Sequence, residues 1–258
     1  MFRSLFVAVS RGTRPTLAAS LLLLAGAVDA TAEERVAGKS VATAALAKSA
    51  AAPGPGLFGT QEIRSANMKA FKKWRSVLQR YRGERHLEKK PCTDRVCPLR
   101  HWRDFLTSLR SRDARYQINA VNRYVNAVRY IPDRRNNGTA DYWSTPREFL
   151  GRGGDCEDYA IAKYLSLRAL GFDPNAMRIV VLQDTSRNLA HAVLVLRHQG
   201  ERLVLDNQLK IVVAARKIRH YRPYYSINEN YWWRHKKPSG RPGSKPAGPA
   251  VVAQRNAG

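Results

Sequence analysis

The apolar residues of this chain change their spacing once, after Gly171, from a helical period to a strand period, so a helical first half is followed by strands. Upstream, Met68, Phe71, Trp74, Val77, Leu78 and Tyr81 fall at helical spacing, as do Ile118, Val121, Tyr124, Val125 and Val128, with breaks at Gly83 and Pro132. These stripes predict core. A loop is expected from Ile131 to Thr145, and Pro146 opens a short helix through Leu150. Ala160, Ile161, Tyr164, Leu165 and Leu167 supply the buried side of a further helix that begins after Gly154 and stops at Gly171. Downstream, Ile179 to Leu182, Ala190 to Arg197 and Arg202 to Asn207 have strand character, and further strands are expected from Leu209 to Ala214 and from Tyr221 to Trp233.

The two ends have a different composition. Met1 to Arg14 is short and basic, Leu17 to Val28 is apolar, and small residues surround Ala30, the pattern of a secretory signal peptide over residues 1–32. Its apolar stretch is shorter than the ~20 residues a spanning helix needs, and no later segment is long and apolar enough to span. The mature chain is expected to begin near Thr31 or Glu33 and to work outside the cytosol. Residues 33–60 form an Ala/Gly/Pro linker and residues 234–258 a basic Pro/Gly tail, both expected to be disordered, leaving a domain over residues 61–233.

Formal charge is +25, and loss of Arg3, Arg11, Arg14 and Asp29 with the leader lowers it only to +23. Lys and Arg are spread along the chain, which suits a solvated surface as well as a binding face. Such a charge favours polyanions, anionic lipid heads or an acidic protein partner through long-range, salt-sensitive attraction. For an exported chain, nucleic acid is not the expected partner.

Three cysteines in an oxidising compartment leave an odd one. Cys92 and Cys97 lie in a short proline-flanked loop, Pro91 to Pro98, and are expected to bond to each other, which leaves Cys156 as the free thiol. A lone cysteine is ordinarily a small buried hydrophobe. Cys156, however, follows Gly153-Gly154 and has Asp155, Glu157 and Asp158 beside it, poor surroundings for an inert core residue.

Asp155 is a natural N-cap and places Cys156 in the first turn of its helix, where the dipole and free N–H groups favour a thiolate or hold an oxyanion. With a hairpin loop of two or four residues centred on Gln199-Gly200, Val193 lies opposite Asp206. His191 is then the diagonal neighbour of Asp206 on the same face. A slip of one residue would put the two on opposite faces. Singly, a strand histidine is usually structural, Asp206 before Asn207 could be a turn residue, and acids at a helix start complement its dipole. Together they give a nucleophile (Cys156), a base (His191) and an orienter (Asp206), in the order expected of a thiol hydrolase or acyl-transferase.

The acids raise a conflict. Carboxylates beside a thiolate raise its pKa and oppose the helix dipole and the His191 imidazolium. A divalent cation resolves the conflict, and oxygen ligands at alternate positions, Asp155 and Glu157, suit calcium better than zinc. Loop carbonyls and Asp133 or Asp141 would complete the shell.

Trp143-Ser144-Thr145-Pro146-Arg147-Glu148-Phe149-Leu150, the run from Gly154-Asp155-Cys156-Glu157-Asp158-Tyr159 to Tyr164, His191-Ala192-Val193-Leu194 and Leu205-Asp206-Asn207 together resemble the bacterial transglutaminase-like cysteine proteinases of the LapG-like group. The resemblance covers about residues 61 to 233. It implies an α+β, papain-like or transglutaminase-like fold with a helical lobe packed on an antiparallel sheet, and the triad Cys156, His191 and Asp206. It also implies calcium held by Asp155 and Glu157. Members act in the periplasm, cut a large surface adhesin near its N-terminus at a di-alanine site to release the cell from a biofilm, and are sequestered by a membrane receptor that senses cyclic di-GMP. The high charge, the local cysteine pair and the basic tail depart from the best-known members.

The expected reaction is peptide hydrolysis through a thioester. The alternatives are acyl transfer to an amine by the same triad, as in a transglutaminase or amidase, and a non-catalytic basic envelope protein that binds an acidic polymer.

Overall fold

The computed structural model describes residues 56–91 and 97–237. The expected signal peptide, most of the expected linker, Cys92 and the tail beyond residue 237 lie outside the described residues. Strand β1 (Gln61–Ser65) leads into the helices α1 (Lys72–Glu84), α2 (Cys97–Leu109), α3 (Ala114–Asn126), α4 (Asp133–Asn136), α5 (Pro146–Arg152) and α6 (Cys156–Ala169). Six strands follow: β2 (Met177–Asp184), β3 (Leu189–His198), β4 (Glu201–Leu205), β5 (Val213–Ala214), β6 (Tyr221–Ile227) and β7 (Trp232–Lys236). They form one sheet with β1, in the order β1-β7-β6-β2-β3-β4-β5, and all its pairings are antiparallel. The fold class is therefore α+β, as the resemblance implied.

Local chemistry accounts for the helices. Trp74, Val77, Leu78 and Tyr81 make one buried stripe on α1, and the Asp113 side chain caps α3 by accepting from the Tyr116 N–H at 2.9 Å. Pro146 opens α5, and Thr145 and Glu148 cap each other's backbone reciprocally. Helix α6 is buried all round from Asp158 to Leu167, as a central helix must be when α3, α5 and the sheet all pack on it.

The sheet has two unlike faces. Ile179, Leu194, Leu196, Leu203 and Leu205 join the helices in the main core. On the other face Val180, Leu182, Val193, Val195 and Val204 are covered by a smaller cluster that includes Leu57, Ile218 and Tyr221. Gln199 and Gly200 both adopt positive φ, 48° and 77°, between the paired His198 and Glu201. That is the two-residue hairpin loop that matches strand twist.

Some elements differ from the sequence reading. Strand β1 and helix α2 are additional, α4 lies inside the expected Ile131–Thr145 loop, and the aromatic run from Tyr221 forms two strands. Of Leu209 to Ala214, only Val213 and Ala214 pair, opposite Val204 and Leu203; Ile211 is 70% exposed. No helix among the described residues is long and apolar enough to cross a membrane.

Candidate active site

The β3–β4 register decides where His191 and Asp206 meet. Leu194 pairs with Leu205, so the next residue along, Asp206, is level with Val193, and His191 is its diagonal neighbour on the same face. His191 Nε2 lies 2.9 Å from Asp206 Oδ1, and both side chains are buried. Asp206 also accepts from the Gln208 N–H at 2.8 Å and from the Tyr221 hydroxyl. Burial opposes ionisation of Asp206, but the bonds from His191, Tyr221 and Gln208 outweigh it and hold the carboxyl below its ordinary pKa. From α3, Asn126 Nδ2 donates to the carbonyls of Asp206 (2.9 Å) and Leu209 (3.1 Å), which fixes the backbone just after β4. With Nε2 committed to Asp206, the other ring nitrogen of His191 faces the Gln208 side chain at 3.4 Å.

Cys156 is the first residue of α6, and the Ala192 N–H, next in sequence to His191, faces its sulfur. Among the described residues it is a free cysteine. Its Sγ lies 3.2 Å from Glu157 Oε2. Burial pushes the thiol pKa well up, and the charge and hydrogen bond of Glu157 and the charge of Asp155 push it further, against the Ala192 N–H. Two glycines make this helix start possible. A Cβ on Gly153, whose φ is +86°, would strike the Arg129 carbonyl, and one on Gly154 would overlap the Asp158 carboxylate.

Five carboxylates form overlapping groups, one of which includes the thiol. Ligand atoms of Asp133, Asp141 and Glu157 lie within 4.8 Å of one another, as do those of Asp155, Cys156 and Glu157 and those of Asp133, Asp155 and Asp158. Burial raises the Glu157 pKa to about 9, with the Asp155 charge and a hydrogen bond between the two acids adding to it. Asp155 is raised as well, by burial first. Its Oδ1 is buried without a hydrogen-bond partner, and its Oδ2 accepts from the Asp133 N–H at 3.2 Å. Hard oxygen donors crowded together, one of them unpartnered, fit a calcium ion.

Asp158, grouped with the thiol's acids in the sequence reading, has another position. It turns back to accept from the N–H groups of Ser144 (2.7 Å) and Asp155 (3.3 Å). Its pKa is raised to about 8, chiefly by burial.

A thiol at a helix start, beside a strand whose histidine is oriented by a carboxylate, is equipped for acyl transfer from a carbonyl. The family model for bacterial transglutaminase-like cysteine proteinase BTLCP matches residues 92–236. The chain belongs to the bacterial transglutaminase-like cysteine proteinases. It is similar to three solved structures of LapG from Legionella pneumophila. One is 30% identical over 60% of this chain and 87% of that one, with a TM-score of 0.52. An EGTA-treated form is 30% identical over 62% and 87%, with a TM-score of 0.53. A calcium-bound form is 28% identical over 62% and 86%, with a TM-score of 0.51. No curated protein matches the chain.

As a member of this proteinase family the chain is a cysteine protease, which sets aside the non-catalytic alternative. His191 and Asp206 meet on β3–β4, Cys156 stands at the start of α6 with the Ala192 N–H facing its sulfur, and Asp155 and Glu157 share overlapping groups with Asp133 and Asp141. The sequence reading did not include Tyr221, Asn126 or Gln208, which bond to Asp206 or its neighbours. It also passed over Lys163, fully buried on α6 with no hydrogen-bond partner for its Nζ and with the Asp206 charge acting on it. The one available signal for Lys163 was a lysine inside an otherwise apolar helix.

Proposed function

We propose that this proteinase is a periplasmic endopeptidase that works through a Cys156–His191–Asp206 triad and a thioester, under calcium control, on a large surface adhesin. The observation that supports the triad most is the buried 2.9 Å contact of His191 with Asp206, one residue from the Ala192 N–H that faces the Cys156 sulfur.

In this reading His191 takes the Cys156 proton at the ring nitrogen that Asp206 leaves unused. The sulfur attacks the scissile carbonyl carbon, and first-turn N–H groups of α6 receive the oxyanion. His191 then protonates the departing amine, leaving a thioester on Cys156. Water, deprotonated by His191, hydrolyses it and restores the thiol. Asp206 keeps the imidazole in the required orientation throughout.

Asp155 and Glu157, with Asp133 and Asp141, would hold the calcium ion. When bound, the ion supplies positive charge that offsets the carboxylates holding the thiol protonated. The existence of calcium-bound and EGTA-treated forms of the Legionella relative supports this assignment. The leader-like residues 1–32 and the resemblance to the LapG-like group support a periplasmic location, a di-alanine adhesin as substrate and sequestration by a cyclic di-GMP-sensing receptor. The test is mass analysis of an N-terminal fragment of a di-alanine adhesin from the same organism after incubation with calcium or chelator. Two peptides whose masses sum to the fragment plus water support hydrolysis. An isopeptide cross-link or a deamidated glutamine would replace this reading with acyl transfer or amidase chemistry.

A further inference from the structure

Tyr221, whose hydroxyl bonds to Asp206, has three rings edge-on to it. His191 lies 6.1 Å away between centroids and the adjacent His220 4.7 Å. The third is Phe58, at 5.6 Å and an interplanar angle of 74°. Phe58 comes from the N-terminal side of β1, ahead of the residues 92–236 that the family model matches and within the stretch that the sequence reading assigns to the linker. Its half-buried ring packs against the smaller cluster, on the sheet face away from the helices.

The turn that carries Phe58, Leu57–Gly59, is fastened to the sheet on both sides. Leu57 is buried, its N–H donates to Glu62 Oε1 at 2.8 Å, and Glu62 in turn pairs with Arg178 of β2 at 2.8 Å. Thr60 Oγ1 lies 2.8 Å from His235 Nδ1 of β7, and the other ring nitrogen of His235 lies 2.9 Å from Ser226 Oγ of β6. Within this turn Phe58 has φ 52°, in the left-handed region where a Cβ is strained and glycine is not. Strain of this kind persists only where the surroundings over-determine it. Glycine would serve the turn alone, yet the position carries an aromatic ring aimed at Tyr221.

We propose that Phe58 is a positioning residue for the triad, which keeps the Tyr221 hydroxyl on Asp206 and so keeps His191 oriented. The proposal rests on the triad reading above. The contacts run from the Phe58 ring to the Tyr221 ring, from the Tyr221 hydroxyl to Asp206 Oδ2, and from Asp206 Oδ1 to His191 Nε2. An edge-on ring pair is directional, so Phe58 restricts the rotation of Tyr221 about its side-chain torsions. Without that ring the hydroxyl leaves Oδ2 part of the time, the carboxylate is free to turn, and Nε2 loses its fixed acceptor. Asp206 acts by holding the imidazole in one tautomer and one orientation, so the loss reaches the reaction although Phe58 touches no reacting atom.

The test is the tautomer of His191, read by NMR from the shifts of its two ring nitrogens in the full chain labelled at histidine, at a pH where the ring is neutral. Phe58→Gly removes the ring and suits the backbone, whereas Phe58→Tyr keeps an aromatic edge. Phe105→Leu removes a ring stacked on Tyr124 at 4.0 Å on the helical side and controls for the loss of an aromatic pair elsewhere. Melting temperatures confirm folding, and Phe58→Leu replaces Phe58→Gly if the latter does not fold. The expected result is the Nε2–H tautomer in wild type, Phe58→Tyr and Phe105→Leu, and a mixture with the Nδ1–H tautomer in Phe58→Gly. On the adhesin fragment, kcat should fall about tenfold in Phe58→Gly while KM stays within about twofold. A single tautomer in Phe58→Gly, a kcat there equal to that of wild type, or the same mixture in Phe105→Leu overturns the proposal. Mixed tautomers already in wild type would overturn the His191–Asp206 reading itself, and the proposal with it. Because the tautomer is read without turnover, this outcome and the failure of adhesin cleavage are independent.

Discussion

Tyr221 donates its hydroxyl to Asp206 Oδ2 while His191 lies against Oδ1, so the two oxygens of one buried carboxylate are held from opposite sides. The carboxyl that orients His191 is thereby fixed in both position and charge.

Tyr221→Phe removes one of these bonds and should cost about 1–3 kcal/mol of stability. The folded Asp206 pKa lies below its unfolded value, so its contribution to stability is present above the unfolded pKa and is lost as pH falls through the folded one. Loss of the Tyr221 bond raises the folded value. Acid unfolding of the variant, followed by circular dichroism, should therefore begin at a higher pH than in wild type.

Calcium binding predicts two opposite effects of Asp155→Asn with Glu157→Gln. Bound metal, measured after dialysis, should be lost, and the melting temperature should no longer respond to chelator. In chelator the variant should melt above wild type, because burial and mutual repulsion of these acids are relieved. A variant that retains stoichiometric calcium would remove the assignment.

Lys163 presents the reverse case of a buried cation. Burial lowers its pKa to about 7, with the Asp206 charge acting in the other direction. Between about pH 7 and its ordinary pKa near 10.5 the unfolded chain binds more protons than the folded one, so stability rises with pH across that window. Lys163→Met should flatten this rise and increase the melting temperature at pH 7, since a buried amine with no hydrogen-bond partner is replaced by an apolar side chain of similar length. Denaturant midpoints at pH 7 and pH 9 measure it.

Gly154→Ala would drive a methyl group into the Asp158 carboxylate, which is itself held by the Ser144 N–H. The expected cost is roughly 1–3 kcal/mol, together with lost activity from a displaced Cys156, measured as stability and turnover in the same preparation.

What could be read from the sequence was local. The hairpin at Gln199-Gly200 sets its own register, so the proximity of His191 and Asp206 followed from counting outward from the turn. The placement of Cys156 followed from Asp155 as a helix cap. Asp133 and Asp141 were candidates only, because their approach to Glu157 depends on how the loop before α5 folds back. Tyr221 reaches Asp206 across an irregular stretch whose path no periodicity reports. Strand β1, Gln61 to Ser65, has one strongly apolar residue, and that residue, Ile63, is 41% exposed, so nothing in it announced an edge strand. The exposed apolar Ile211 had the opposite effect and suggested a longer strand before Val213 than the chain forms.

The most direct measurement is cleavage of the adhesin fragment by wild type, Cys156→Ala and His191→Ala side by side, each verified as folded and supplied with calcium. The account predicts specific cutting by wild type alone. Cutting that survives in Cys156→Ala would contradict it.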